Sequence, residues 1–211
     1  TILERCVRYR LKVHAIPMMT DAPTHAMCVV VEDPTGHAPR FIVGLKAHRS
    51  MVKAVESALL EALRIRRTYR NYSKHDGAWD KNTSVEKIGH VDRVYYWGES
   101  ENAQHLEFLI AGEEQPYQFD AAWEYDSIEQ HLEKIVSWCK EKNFECVSVP
   151  LTRSKANPTD WHIEMVIIPE LQPIHLHEKF AHTGGARLRE VPASFGYPTR
   201  EPFLDRPHPF L

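Results

Sequence analysis

Apolar residues cluster in three short stretches near the start of the chain, and their pattern predicts β-strands. Residues 11–18 alternate in part, 26–32 form a continuous apolar run, and 40–45 return the chain after an Asp-Pro-Thr-Gly turn sequence. A short helix is predicted at 2–9, where apolar residues share one side. We therefore expect a helix, a strand and then a β-hairpin over 26–45.

Two longer segments have apolar residues three and four positions apart, the spacing of one helical face. The first is capped by Ser50, runs to about Tyr69 and has a predicted apolar stripe of Val52, Val55, Leu59 and Leu63. The second spans 127–142 with a Ser127 cap and a predicted inward face of Ile128, Leu132, Ile135, Val136 and Cys139. Residues 85–97 and 101–111 are also predicted to be helical, with breaks at Gly98 and Gly112.

The second half of the chain adds strands and then a proline-rich end. Strands are predicted at 144–151 and 161–169, and prolines recur after Pro169. We predict an α+β fold of mixed layers in which residues 1–169 form sheet and helices. Residues 170–211 are predicted to form an extended strap over that body, so that 1–211 is one domain.

Composition limits the classes of protein and partner. Hydrophobic residues are 43% and charged residues 26% of the 211 residues, as in an ordinary globular protein. The formal net charge of −3 gives no positive field for nucleic acid, and no apolar run approaches the roughly 20 residues that a membrane helix needs. The four cysteines are scattered, which favours free thiols and a cytoplasmic location.

Motifs for the common nucleotide and hydrolase sites are absent, since the sequence has no GxxxxGK[ST], GxGxxG or GxSxG. His175 and His177 form a close pair of histidines, and we expect no third metal ligand from the residues near them. On these observations alone the sequence describes a soluble α/β domain.

Three stretches in the same order resemble the YcaO family. Gly44 to Ser50, with the helix that follows, is similar to the family segment GxGxHPDPxxALxRALTEAAQSR. Residues 166–176 are similar to the phrase V(I/V)PGLQPxH. The third stretch consists of 184–192 followed by the terminal Arg-Pro-His-Pro-Phe-Leu, which is like the proline-rich tails of azoline-forming members. Together these stretches make the match specific.

The resemblance implies ATP-dependent chemistry on a peptide backbone. Members of the family activate a backbone amide oxygen of a peptide or protein with ATP and Mg²⁺, and a thiol, hydroxyl or sulfide attacks the carbonyl carbon. The products are azolines or thioamides. A leader-peptide-binding or other pathway protein is the expected partner.

The resemblance also assigns roles to residues of the first long predicted helix, which follows Ser50. Glu61 and Arg66 match the glutamate and arginine of the family's ExxQxR motif, and Arg64 stands where the family has glutamine. It implies that Glu61, Arg64 and Arg66 bind nucleotide and that Glu61 holds metal. Because arginine only donates hydrogen bonds and carries a fixed charge, Arg64 suits phosphate and not Mg²⁺.

The tail is implied to reach the active site. Pro207 and Pro209 pre-set an extended segment, because proline fixes its own backbone angle and restricts the residue before it. In members of the family with such an ending, the terminal carboxylate, here that of Leu211, lies near the chemistry. We therefore expect catalytic roles for Leu211, Pro207 and Pro209.

The chain departs from the family in length, since it resembles only the second half of a YcaO domain. The paired glutamate motifs that hold most of the Mg²⁺ belong to the missing N-terminal half, so the chain alone is not expected to hydrolyse ATP. We expect it to pair with that half or to self-associate as a homo-oligomer. The alternative function is a non-catalytic scaffold that completes an enzyme made with another chain.

Overall fold

A computed structural model of the chain describes residues 1–72, 79–116, 124–152, 162–197, 199, 201, 203 and 206–210. The helices are α1 (Ile2–Arg8), α2 (Met51–Tyr72), α3 (Asp92–Gly98), α4 (Ser100–Ala103), α5 (Ile128–Glu141) and α6 (Arg187–Ser194). The strands are β1 (Lys12–Met18), β2 (His25–Glu32), β3 (Phe41–His48), β4 (Val147–Pro150) and β5 (Glu164–Ile167). Short 3-10 helices lie at Val85–Lys87, Gln104–Ile110 and Glu178–Phe180. The predicted α+β class is confirmed.

The first three strands form an antiparallel sheet in the order β1-β2-β3. Within β2, Val29 and Val31 face one side of the sheet and Cys28 and Val30 face the other, and all four are buried. The continuous apolar run in the sequence therefore reflects a strand that is covered on both faces. The predicted hairpin over 26–45 is confirmed, and β3 continues to His48.

Helix α2 covers one face of this sheet through small residues. Gly44 of β3 packs against Ala58 and Ala62, and a Cβ at Gly44 would collide with the Ala58 carbonyl oxygen and lie 2.9 Å from the Ala62 amide nitrogen. Three residues of the predicted stripe, Val55, Leu59 and Leu63, pack on the core, whereas Val52 is exposed and Ala54 is fully buried. Counting only large apolar residues missed the alanines that allow this close approach.

The opposite face of the sheet is covered by α3, α4, the helix at Gln104–Ile110 and one tail residue. Trp97, Ala103 and Leu106 pack with the sheet residues Phe41 and Val43. Phe210 packs against the same cluster.

The helix predicted at 85–97 is interrupted in the structure. One 3-10 turn ends at Lys87, and α3 begins only at Asp92. Between them, the Gly89 N–H donates to Asp92 Oδ2 at 2.9 Å, and Gly89 forms an isolated β-bridge with His177. This bridge ties the segment to the C-terminal part of the chain, so a tertiary contact overrides the local helical pattern.

Helix α5 follows the predicted limits, and its cap is confirmed, since Ser127 Oγ accepts a hydrogen bond from the Gln130 N–H at 3.2 Å. The predicted inward face is wrong in part, because Ile128, Leu132 and Val136 are exposed. Only the C-terminal end is buried, at Trp138 and its neighbour Cys139. The stripe marks a surface that no described element covers.

Strands β4 and β5 pair as a separate two-stranded antiparallel sheet. Both are shorter than the predicted strands at 144–151 and 161–169, and every residue in them is exposed. None of the described helices is long and apolar enough to cross a membrane.

Candidate functional site

Helix α2 holds Glu61 against the end of β3. The Leu45 N–H donates to Glu61 Oε2 at 3.0 Å. Because β3 is an edge strand of the described sheet, an N–H on its outer side needs an acceptor from outside the ladder. The packing of Gly44 on Ala62, the neighbour of Glu61, brings that acceptor within reach.

Glu61 lies in an open surface depression of about 310 Å³ between β3 and α2. Its lining residues are Leu45, Lys46, Ser57, Leu60, Glu61 and Arg64. Within the described part of the chain, no ion pair engages Lys46 or Arg64. Two uncompensated cations beside one fixed carboxylate favour an anionic ligand.

The residues of the depression fit the two parts of a metal–nucleotide complex unequally. Lys46 and Arg64 have the charge and donors that phosphate oxygens require. Mg²⁺ takes oxygen ligands, and among the lining residues Glu61 is the one carboxylate. Phosphate therefore fits the described residues, whereas Mg²⁺ would need further ligands from elsewhere.

Arg66 lies apart from Glu61 and Arg64. Its guanidinium donates to Asp33 Oδ2 at the turn after β2, and Arg70 donates to the same oxygen at 3.4 Å. Five residues along a helix rotate a side chain by roughly 140°, which separates Arg66 from Glu61. Burial alone would raise the pKa of Asp33, but hydrogen bonds from Thr35 and Arg66 lower it below its ordinary value.

The described tail residues lie on the body of the fold. Pro207 is fully buried, and Pro209 lines a small internal cavity with Ile42, Ile65 and Trp97. This neighbourhood differs from the depression at Glu61. Leu211, the third predicted catalytic residue, lies outside the described residues.

A buried polar cluster anchors this tail, and no pattern local in the sequence marks its members as one group. Arg93 is 1% exposed, and it donates from Nε to Glu178 Oε1 at 2.7 Å and from Nη2 to the His175 carbonyl oxygen at 2.9 Å. His175 Nε2 lies 2.9 Å from Glu178 Oε2. From the tail, His208 Nε2 donates to the His175 carbonyl oxygen at 2.8 Å. Arg93 and Glu178 are 85 residues apart, so no local motif links them.

The cluster has the composition of a metal site but the bonding of a structural one. Ligand atoms of His175, Glu178 and His208 lie within 4.8 Å of one another, so the expectation of no third ligand near the histidine pair overlooked Glu178. Glu178 is already paired with Arg93, a fixed positive charge that opposes a metal cation. Burial lowers the pKa of His208, which favours the neutral ring that donates to His175.

Comparisons with known proteins agree with this fold. Residues 1–172 match the family model described as YcaO cyclodehydratase, ATP- and Mg²⁺-binding. A solved heterocyclase in complex with substrate and cofactor is similar over 95% of this chain, with a TM-score of 0.66 and 20% identity. The heterocyclase TruD is similar over 98%, with a TM-score of 0.59 and 21% identity. No curated protein matches the sequence.

The chain spans about a quarter of the length of these solved heterocyclases, 25% of the first and 27% of TruD. The family match covers most of the chain, including both sheets and the whole of the depression at Glu61. On this evidence, the chain belongs to the YcaO family.

Proposed function

We propose that the chain is part of a YcaO-type enzyme that uses ATP and Mg²⁺ to form azolines or thioamides in a peptide or protein backbone. The observation that carries the proposal is the position of Glu61, which is fixed by the Leu45 N–H in a depression flanked by Lys46 and Arg64. Family membership and the heterocyclase fold support the same chemistry.

The charged residues that line the depression have roles that follow from their chemistry. When bound, ATP supplies the phosphoryl group that turns an amide oxygen into a leaving group. Lys46 and Arg64 bind and neutralise phosphate oxygens. Glu61 uses one oxygen to hold the Leu45 N–H, and its other oxygen is available as a metal ligand or as an acceptor for the substrate.

Arg64 gives this site a positive charge that glutamine would not. Glutamine offers a neutral carbonyl oxygen to a metal, whereas a guanidinium offers only donors and repels a cation. We therefore assign Arg64 to phosphate, and the metal contact to Glu61 with carboxylates from outside this chain. Those carboxylates belong to the N-terminal half of the domain, which is a required partner in this proposal.

The remaining predicted residues take supporting roles in the proposal. Arg66 stabilises the site indirectly by bonding Asp33 at the turn beside the sheet. Pro207 and Pro209, which lie against the body, direct the chain end so that the Leu211 carboxylate approaches the substrate. A leader-peptide-binding protein would deliver that substrate.

The test is reconstitution of the chain with its N-terminal half, a candidate precursor peptide, ATP and Mg²⁺. Cyclodehydration removes a mass of about 18 Da per site, since the amide oxygen leaves as phosphate. Glu61→Gln keeps an acceptor for Leu45 and should lower turnover by at least about tenfold, whereas Glu56→Gln on the exposed side of α2 should not. Equal turnover of both variants would contradict the proposal.

The second candidate function is a non-catalytic scaffold that completes an enzyme made with another chain. Arg64 at the glutamine position is the observation that favours it. In that case Glu61→Gln and Arg64→Ala would leave the activity of the assembled enzyme unchanged, while omission of the chain would abolish it. Isothermal calorimetry of the assembled enzyme with ATP separates the two hypotheses further. The catalytic hypothesis predicts that Arg64→Ala loses ATP affinity, whereas the scaffold hypothesis predicts no change.

A further inference from the structure

His208 attaches the described end of the tail to the body of the fold through both nitrogens of its ring. Nε2 donates to the His175 carbonyl oxygen at 2.8 Å, and Nδ1 accepts from the Phe210 N–H at 3.4 Å. A carbonyl oxygen only accepts hydrogen bonds, and a backbone N–H only donates them. The two bonds together therefore require a neutral ring that carries its hydrogen on Nε2.

Apolar contacts lie on both sides of this polar attachment. Pro207 is fully buried, Pro209 lines the small internal cavity, and Phe210 packs against the cluster on one face of the sheet β1-β2-β3. The rings of His208 and Phe210 stack with their centroids 5.7 Å apart. We call residues 206–210 the tail latch, because one polar attachment sits among several apolar contacts to the body.

The receiving side of the latch is fixed by bonds that do not involve the tail. The Glu178 N–H donates to the Ile88 carbonyl oxygen at 3.0 Å, and Arg93 Nε donates to Glu178 Oε1 at 2.7 Å. Arg93 Nη2 donates at 2.9 Å to the same His175 carbonyl oxygen that accepts from His208. The acceptor therefore keeps its position when the tail moves.

Protonation of His208 conflicts with these surroundings. A proton on Nδ1 points at the Phe210 N–H and removes the acceptor of that bond. Among the described residues, the charged and titratable groups that face the ring are Arg93 from α3, and His175 and Glu178 from the segment that follows β5. Arg93 repels an imidazolium, and Glu178 offsets this only in part, because its two oxygens already contact Arg93 and His175.

We propose that the tail latch is a pH-dependent switch, which is closed while His208 is neutral and is released as a unit when its ring is protonated. Release breaks the bond to the His175 carbonyl oxygen and frees Phe210 from the sheet. It also removes Pro209 from the cavity that Arg93 lines. The inference rests on contacts within the described chain and does not depend on the proposed enzymatic function.

The direction of the pH dependence follows from burial. Burial lowers the pKa of His208 from its ordinary value of 6.5, and the charge of Arg93 adds to this, whereas the bond to the His175 carbonyl and the charge of Glu178 oppose it. A released ring in water therefore binds a proton more readily than the ring in the closed latch. The latch is most stable above pH 6.5, and each pH unit below that favours release by up to about tenfold until the closed-state pKa is passed.

An NMR titration of the chain from about pH 8 to about pH 5 tests the proposal. As the His208 ring takes up its proton, the Phe210 amide should move to the resonance position of an unstructured residue. Both changes should share one midpoint, which lies below pH 6.5. Amides of residues 27–31 in the central strand β2 should keep their positions, because the release is local.

His208→Gln is the matched variant, because the glutamine amide nitrogen donates from a position like that of Nε2 and does not titrate. It should hold the Phe210 amide at its neutral-pH position throughout the titration. His105→Gln, at an exposed histidine, should release the latch at the same pH as the wild type.

Three results overturn the proposal. In the first, the His208 ring does not titrate above about pH 5, or it titrates while the Phe210 amide keeps its neutral-pH position. In the second, His208→Gln releases the tail at the wild-type pH. In the third, the β2 amides are lost together with the tail, so that release is part of global unfolding. If glutamine does not seat the tail at neutral pH, the wild-type titration decides alone, since different midpoints for the ring and the Phe210 amide contradict the switch.

Discussion

The sheet β1-β2-β3 is covered on both faces, whereas the hairpin of β4 and β5 leaves its apolar face open. Both consist of antiparallel strands rich in valine and isoleucine, so strand composition does not explain the difference. The first sheet lies between α2 and the helices around Trp97. The hairpin follows α5, whose own apolar stripe is exposed.

The comparison separates a completed core from an incomplete one. Glu61 and the depression that it lines belong to the completed sheet, where Gly44 and the alanines of α2 fix the spacing of strand and helix. A site that must hold groups to within a fraction of an ångström needs such support. The hairpin instead leaves apolar side chains that no described element covers.

The largest effect is expected at Arg93, which joins the completed core to the C-terminal segment. Arg93→Met removes the arginine partner of the buried Glu178 carboxylate and leaves it only the contact with His175, and this should lower the free energy of unfolding by about 3–5 kcal/mol. Lys81→Met, which removes the ion pair of an exposed lysine with Glu99, should cost at most about 1 kcal/mol. Urea denaturation measures the free energy of unfolding of both variants. Similar losses of stability would show that the buried Arg93–Glu178 pair does not join the core to the C-terminal segment.

Gly44→Ala should have the next largest effect. The added methyl group collides with the Ala58 carbonyl oxygen, so β3 and α2 must move apart at a cost of about 2–3 kcal/mol. The control is Gly112→Ala, where an added Cβ meets no atom within 4 Å. Thermal unfolding should show a lower Tm only for Gly44→Ala, and an unchanged Tm there would contradict the described strand–helix contact.

A pair of valine truncations compares the two sheets directly. Val30→Ala in β2 leaves a cavity in a fully buried position and should cost about 2 kcal/mol. Val149→Ala in β4 removes a partly exposed side chain and should cost less than about 1 kcal/mol. If both truncations cost the same, the apolar side of the β4–β5 hairpin is already covered and the comparison fails.

The smallest effect concerns the tail and pH. Burial lowers the pKa of His208 below its ordinary value of 6.5, and the charge of Arg93 adds to this, while Glu178 and the bond to the His175 carbonyl oppose it. The unfolded chain therefore binds a proton more readily, so the stabilisation is complete above pH 6.5 and is lost as pH falls through the folded-state pKa.

Melting curves of wild type and His208→Phe, recorded from pH 6.5 downward, check the direction of this pH dependence. The difference in Tm between the two proteins should shrink as the pH falls, and His105→Phe, at an exposed histidine, should show no such trend. A difference that grows on acidification would mean that protonated His208 binds the body of the fold more tightly.

More of the sheet β1-β2-β3 than of the β4–β5 hairpin could be predicted from the sequence. Local signals suffice for the hairpin over 26–45, for the Ser127 cap and for placing Glu61 and Arg64 three residues apart on one helix. Local signals fail where contacts with residues far away in the sequence decide the structure. Gly89 breaks a predicted helix because it bridges to His177, and Ile128 is exposed because nothing described covers α5.

The most direct measurement is amide hydrogen exchange of the chain in dilute solution. The account predicts strong protection of residues 27–31, because β2 is central and buried. Residues 147–150 and 164–167 should exchange rapidly, because every residue of β4 and β5 is exposed. Hairpin amides that are as protected as those of β2 in dilute solution would contradict the division into a completed and an incomplete core.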